Sequence, residues 1–343
     1  MRLFLTTIIV ALLTLNLSAQ TKPPAGGGGT AATCPPAIPI TAGEFTVHVR
    51  GNECTEDLAN ADPAIVSKQM PNRRINGADK VTFAAAPTIS LVGRGLNYEH
   101  AIEGCNKLSN YFTPRFYHLP PQVIGADTVR MTEFDPTKAL WTTMQYTVSN
   151  PSSEVGVIDW NVTFVPTDPS IYCSDYLALF FASYMPFTTD AKLYFLGKTA
   201  AGAPETWIAQ TIPYPGKSVM HEADSALPVD PAPASTFGYG VDYKTQLAAF
   251  DWPRYTVPMY CAVTTSQNMV YQIMFDTTDV RLTGFRFSVK TSGEGTPAQD
   301  FQYVLRNPVA GQQRGLRARV IFRPYQAATF EHDCRAAYAA WVP

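Results

Sequence analysis

Apolar and polar residues alternate with a period of two over many short stretches, the pattern of strands that turn one face to a core. Phe45-Thr46-Val47-His48-Val49, Thr142 to Val148 and Val157 to Phe164 carry it most clearly, and Thr88-Ile89-Ser90-Leu91-Val92 belongs with them. These stretches are rich in β-branched and aromatic residues, which fit a pleated, half-buried surface. The same reading predicts strands at Leu177 to Ser183, Lys192 to Leu196, Thr206 to Thr211 and Met269 to Phe275. Gly284 to Val289, Phe301 to Arg306 and Gly315 to Phe322 complete the set. Turn residues punctuate them at Ser149-Asn150-Pro151-Ser152, Pro166-Thr167-Asp168-Pro169, Ser292-Gly293-Glu294-Gly295 and Asn307-Pro308. Helical spacing appears at the C-terminus, where Ala328 to Trp341 places Phe330, Cys334, Tyr338 and Trp341 on one face. So many spaced strands without a fixed-period repeat predict an all-β fold, a large antiparallel β-sandwich with a short C-terminal helix.

Three segments are expected along the chain. Residues 1–19 read as a signal peptide: Arg2 precedes the apolar run Leu3 to Leu17, and Leu17-Ser18-Ala19 supplies a cleavage site. That run is short of the roughly 20 residues a membrane-spanning helix needs, so the mature chain is expected to carry no span and to be secreted or periplasmic. Residues 20–39 read as a Pro/Gly-rich linker and 40–343 as a single β-sandwich domain.

Composition narrows the function classes. A chain of 343 residues, 46% hydrophobic and 16% charged, buries enough apolar surface to fold. Its net charge of -2 excludes a nucleic-acid binder, which needs a basic face for the phosphates. The six cysteines suit an oxidising compartment, and the pairing expected is Cys34–Cys54, Cys173–Cys261 and Cys105–Cys334. They form no C-x-x-C, so no metal site is expected, and loop carboxylates such as Asp168 and Asp175 lack EF-hand spacing for calcium. No G-x-S-x-G, H-E-x-x-H, Walker or Rossmann pattern occurs, and no cofactor is expected.

Two regions carry candidate chemistry. The first is Asn110-Tyr111-Phe112-Thr113-Pro114-Arg115-Phe116-Tyr117-His118-Leu119, preceded by Glu99-His100-Ala101-Ile102-Glu103-Gly104-Cys105. The second runs from Thr296-Pro297-Ala298-Gln299-Asp300-Phe301-Gln302 to Gly315-Leu316-Arg317-Ala318-Arg319 and Phe322-Arg323-Pro324-Tyr325. The Asn110 to Leu119 stretch and the second region together resemble a family of exported, uncharacterised bacterial β-sandwich proteins. The order of elements is similar to galactose-mutarotase-like supersandwiches, and that resemblance implies a supersandwich-like fold acting on or binding sugars. The chain lacks the His-x-Tyr-Phe-Asn segment that holds the mutarotases' acid histidine, which sets epimerase chemistry behind hydrolase or lyase-like chemistry.

Residue chemistry supports the same expectation. Glu99 and Glu103 are four apart, sharing a side of either a helix or a strand, and a carboxyl pair cleaves glycosides. Glu103 precedes Gly104, whose freedom permits a tight turn, so Glu103 is the preferred acid or base, with Glu99 and His118 as the other catalytic candidates. Arg115, Tyr111, His100 and Asn110 are candidates for substrate binding. Asp300, Arg317 and Arg319 either form a fork for a sugar carboxylate or pair with one another, Asp300 holding one of the arginines. Trp160, Trp207 and Trp252 are expected in the core, His221-Glu222 at the surface and His332 on a solvated helix face. The function expected is a glycoside hydrolase or lyase-like protein acting on a polysaccharide or oligosaccharide. The alternative is a non-catalytic carbohydrate-binding or surface-interaction protein.

Overall fold

A computed structural model describes residues 37–51, 76–83, 94–102, 120–133, 140–168, 176–184, 192–211, 219–220, 252–264, 268–277, 281–289 and 297–342. The described strands are β1 (Ile38–Ala42), β2 (Phe45–Arg50), β3 (Gly77–Phe83), β4 (Arg94–Ile102), β5 (Pro121–Gly125), β6 (Thr128–Glu133), β7 (Leu140–Ser152), β8 (Val155–Pro166) and β9 (Tyr176–Tyr184). They continue as β10 (Lys192–Lys198), β11 (Thr206–Thr211), β12 (Val219–Met220), β13 (Arg254–Tyr255), β14 (Met259–Thr264), β15 (Met269–Asp276), β16 (Arg281–Val289), β17 (Pro297–Arg306) and β18 (Arg314–Pro324), before helix α1 (Phe330–Trp341).

Antiparallel pairing sorts them into two sheets. An eight-stranded sheet runs β1-β2-β3-β4-β9-β17-β16-β12, and a ten-stranded one β11-β10-β14-β15-β18-β8-β7-β6-β5, with β13 paired to β10. The protein is an all-β sandwich with a short C-terminal helix, as its alternation predicts. β8 shows why: Ile158, Trp160, Val162 and Phe164 are buried while Asp159, Asn161 and Thr163 are less so.

Aromatic residues join the sheets. Trp160 of β8 meets Phe181 of β9 at 4.8 Å and Phe301 of β17 at 5.8 Å between ring centroids. Phe275 of β15 lies 5.0 Å from Phe301, and Phe45 of β2 lies 5.8 Å from Phe322 of β18. Each such buried side chain contributes about 1.5–3 kcal/mol by leaving water.

A second apolar layer occupies the outer face of the ten-stranded sheet. Met259, Cys261, Val270, Met274 and Ile321 lie under α1, whose Phe330 and Cys334 are buried and whose Tyr338 and Trp341 pack beside them. The helix therefore presents the face that its 3.6-residue spacing implies. β15 reads Met-Val-Tyr-Gln-Ile-Met-Phe without alternation because one of its faces meets the core and the other meets the helix layer.

Several expectations are corrected. Cys261 and Cys334 lie against each other, Sγ to Sγ 2.7 Å, so neither takes the partner expected for it. Those partners, Cys173 and Cys105, and the pair Cys34 and Cys54, are outside the described residues. β1 begins at Ile38, inside the stretch expected as linker. The turn expected at Ser149 to Ser152 is the end of β7, with a register shift between Ser149 and Ser152. Asn150 holds that irregularity, its Nδ2 donating to the Val155 carbonyl at 2.7 Å. The strand expected at Thr88 to Val92 is outside the described residues.

Candidate functional site

β4 departs most from ideal pairing. Its register with β9 shifts between Arg94 and Asn97 and again between Tyr98 and His100. Leu96 lies at φ 52, a left-handed conformation that a leucine keeps only where its surroundings enforce it. Side chains from four other strands or their ends supply that enforcement. The Leu96 N–H donates to Ser183 Oγ at 3.0 Å, and the Leu96 carbonyl accepts from the Tyr146 hydroxyl at 2.9 Å. The Tyr98 N–H donates to Asn76 Oδ1 at 2.9 Å, while Asn76 Nδ2 donates back to the Tyr98 carbonyl at 3.1 Å. Tyr271 bonds Ser183 in turn, hydroxyl to hydroxyl at 3.4 Å. Gly77 makes the approach of β3 feasible: its φ is +110, and a Cβ there would sit 2.5 Å from the Gly95 carbonyl oxygen. Irregularities of this kind re-aim side chains and concentrate beside functional sites.

What β4 aims is Asn97. Ala182 of β9 is in register with Asn97 on one side and with Asp300 of β17 on the other, and Asp300 is in register with Arg286 of β16. The neighbours Phe181 and Phe301 point into the core, so Ala182 and its register partners Asn97 and Asp300 occupy the opposite face. All three are buried, with Asn97 at 0% exposure and Asp300 at 3%. Neither amide atom of Asn97 has a hydrogen-bond partner among the described residues. A buried amide left so costs about 1–3 kcal/mol, a cost that folding alone does not reward. With strands about 4.8 Å apart, the Asn97 and Asp300 backbones stand about 10 Å apart across a floor made by the Ala182 methyl group. An amide, which donates and accepts, and a carboxyl group across an apolar floor suit a small ligand with several hydroxyl groups.

A second buried amide lies one residue along on β17, on the core face of the sheet and so opposite to that row. Gln299, in register with Ser183 and fully buried, also has both amide atoms without a partner among the described residues. Nearby hydroxyls stay protonated: burial pushes the Tyr260 phenol well up, with Tyr271 and Asp300 adding to the shift, and burial does the same to Tyr303.

The sequence-predicted residues divide into three groups. Glu99 and His100 lie on β4, and Asp300 on β17, in one sheet with only β9 between them. Glu103, Asn110, Tyr111, Arg115 and His118 are outside the described residues. Arg317 and Arg319 lie on β18, in the other sheet, and the pairing expected for Asp300 with one of them is not formed. Arg319 grips Asp159 at 2.7 and 2.9 Å, and Arg317 lies 3.6 Å from Asp276. The cause is register: Asp159 and Asp276 are the cross-strand partners of those arginines on β8 and β15.

Trp160 is in the core as expected, Trp207 packs edge-on against Phe330, and Trp252 lies under the Arg254 guanidinium. His332 is exposed on α1. His221 and Glu222 are outside the described residues. No cluster of three His, Cys, Asp or Glu side chains able to hold a metal occurs among the described residues. Sequence reasoning missed Asn97 and Gln299. Gln299 shares the parity of Phe301, Tyr303 and Leu305, so an amide at a core position was the available signal.

No family model matches the chain. No curated protein matches it either. Among solved structures, it is similar to an Escherichia coli K12 protein described as a putative aldose 1-epimerase, at TM-score 0.41 and 6% identity, over 84% of this chain and 99% of that one. It is also similar to a TPR-domain containing protein from Parabacteroides distasonis, at TM-score 0.40 and 10% identity, over 74% of this chain and 45% of that one. Both likenesses are distant, and the site rests on the residues of this chain.

Proposed function

We propose that this is an exported carbohydrate-active protein whose saccharide site lies on the β4–β9–β17 part of the eight-stranded sheet. The observation that carries the reading is the buried Asn97 amide without a partner among the described residues, in one row with Asp300. Saccharide hydroxyls both donate and accept, and they would complete that amide. Glycoside cleavage needs a second carboxyl group, one protonating the leaving oxygen while the other attacks or activates water. Glu99 and Glu103, on and just after β4, are our candidates for that work, with His118 assisting proton transfer and Arg115, Tyr111, Asn110 and His100 contacting substrate. The proposal includes cleavage of a leader after residue 19.

The test is a panel of polysaccharides and oligosaccharides incubated with the mature protein, with new reducing ends, unsaturated products and retention on insoluble glycan measured together. Product formation that Glu103→Gln and His118→Ala abolish, without a change in melting temperature, supports a hydrolase or lyase. Retention without product, lost in Asn97→Ala, assigns a binding protein at the same row. The absence of both product and retention overturns the carbohydrate reading. N-terminal sequencing of exported protein checks the leader, with Gln20 expected as the first residue.

A further inference from the structure

We infer that Cys261 and Cys334 are joined by a disulfide in the folded protein, a covalent staple between the ten-stranded sheet and the C-terminal helix. Cys261 is on β14, on the sheet face that carries Met259 and Val263, and Cys334 is on the buried face of α1 one turn beyond Phe330. Both are fully buried, with Sγ atoms 2.7 Å apart, so the two side chains already meet where a bond of about 2.05 Å would join them. The surroundings hold that geometry from both sides. Gln272 of β15 donates from Nε2 to the Cys334 carbonyl at 2.8 Å. Arg323 of β18 donates to Gln272 Oε1 at 3.0 Å, to the Asp333 carbonyl at 3.1 Å and to Cys334 Sγ at 3.1 Å.

The two sulfurs are unequal, which orders the chemistry. Burial opposes ionisation of Cys334, but the Cys261 hydrogen bond and the Arg323 charge outweigh it and lower its pKa, whereas burial and Cys334 raise that of Cys261. The Cys334 thiolate attacks the sulfur of a small-molecule or protein disulfide, forming a mixed disulfide and releasing one thiolate of the oxidant. Cys261 then loses its proton and attacks Cys334 Sγ, which expels the second oxidant thiolate. Two protein thiols are oxidised, one external disulfide is reduced to two thiols, and both protons pass to those products. Because the docked pair is buried and the inequality of its sulfurs depends on Arg323 and Cys261, the exchange takes place as α1 docks, with Arg323 already beside Cys334 and the sulfurs still open to the oxidant.

The full chain is exported into an oxidising compartment, denatured with iodoacetamide present and digested with trypsin. A peptide 255–281 joined to 320–335, separated by reductant, is the expected result. Alkylation of either cysteine, or its linkage to Cys34, Cys54, Cys105 or Cys173, overturns the proposal. As a second measurement, reductant should lower the melting temperature of the native protein by roughly 5–10 °C and that of C261A/C334A by less. An equal shift in both overturns the stapling role. Neither readout depends on the saccharide reading.

Discussion

Arg319 holds Asp159 through two parallel hydrogen bonds, Nε to Oδ1 at 2.7 Å and Nη2 to Oδ2 at 2.9 Å, while its guanidinium lies 5.7 Å from the Trp341 ring. One side chain thus ties β18 to β8 and to the end of α1. Both members are about a third exposed, so solvent screens the pair. Arg319→Ala should cost about 1–2 kcal/mol, the sum of a well-aligned surface ion pair and an exposed cation–π contact. Arg319→Lys should recover only part of that, since lysine lacks the fork. Urea midpoints of the two variants measure it.

Asn97→Ala separates a binding residue from a structural one. Removing a buried amide that has no partner among the described residues deletes a desolvation cost, so stability should hold or rise by up to about 1–2 kcal/mol despite the small void left behind. Saccharide retention should fall at least about tenfold. A variant that unfolds would mark the amide as part of the scaffold.

Gly77→Ala should destabilise by about 2–3 kcal/mol or more. It forces a Cβ against the Gly95 carbonyl at a φ that alanine avoids. The Asn76–Tyr98 hydrogen bonds depend on that approach, so amide exchange at Tyr98 should accelerate beyond the global change.

Thr329 donates to Asp333 Oδ2 at 2.7 Å, and this bond is the main reason the Asp333 carboxyl titrates below its ordinary value; burial opposes, and His332 and Arg323 add to the lowering. A depressed carboxyl pKa contributes stability above the unfolded value of about 3.9, and loses it as pH falls through the folded value. Thr329→Ala should therefore narrow the gap in stability between neutral pH and about pH 2. Denaturant midpoints across that range, compared with the native protein, read the difference.

The regular parts of the fold were legible and the irregular ones were not. Val157 to Phe164 alternates because one face meets the core, and Thr206 to Thr211 has the same bounds in the sequence pattern and in β11. β4 was hidden because two bulges break its alternation. Its backbone partners Asn76, Ser183 and Tyr146 lie 22 to 87 residues away. The same distance hid the arginine partners and the cysteine pair: both follow from β18 lying between β15 and β8 and from α1 docking over β14, neither of which local pattern encodes. Asp300 and Glu99–His100 stood out in the sequence as ionisable groups among turn residues and aromatics; β4 and β17, which carry them, are separated by β9.

The strand order also dictates when the molecule can fold. β17 sits between β9 and β16, and β18 between β15 and β8, so the last two strands made are interior members of both sheets. Without β17 and β18 each sheet is two fragments with open edges facing a missing strand. A nascent chain in that condition has no finished tertiary structure to unravel. Closure of the sandwich therefore waits on β17 and β18, whose pairings join strands far apart in sequence.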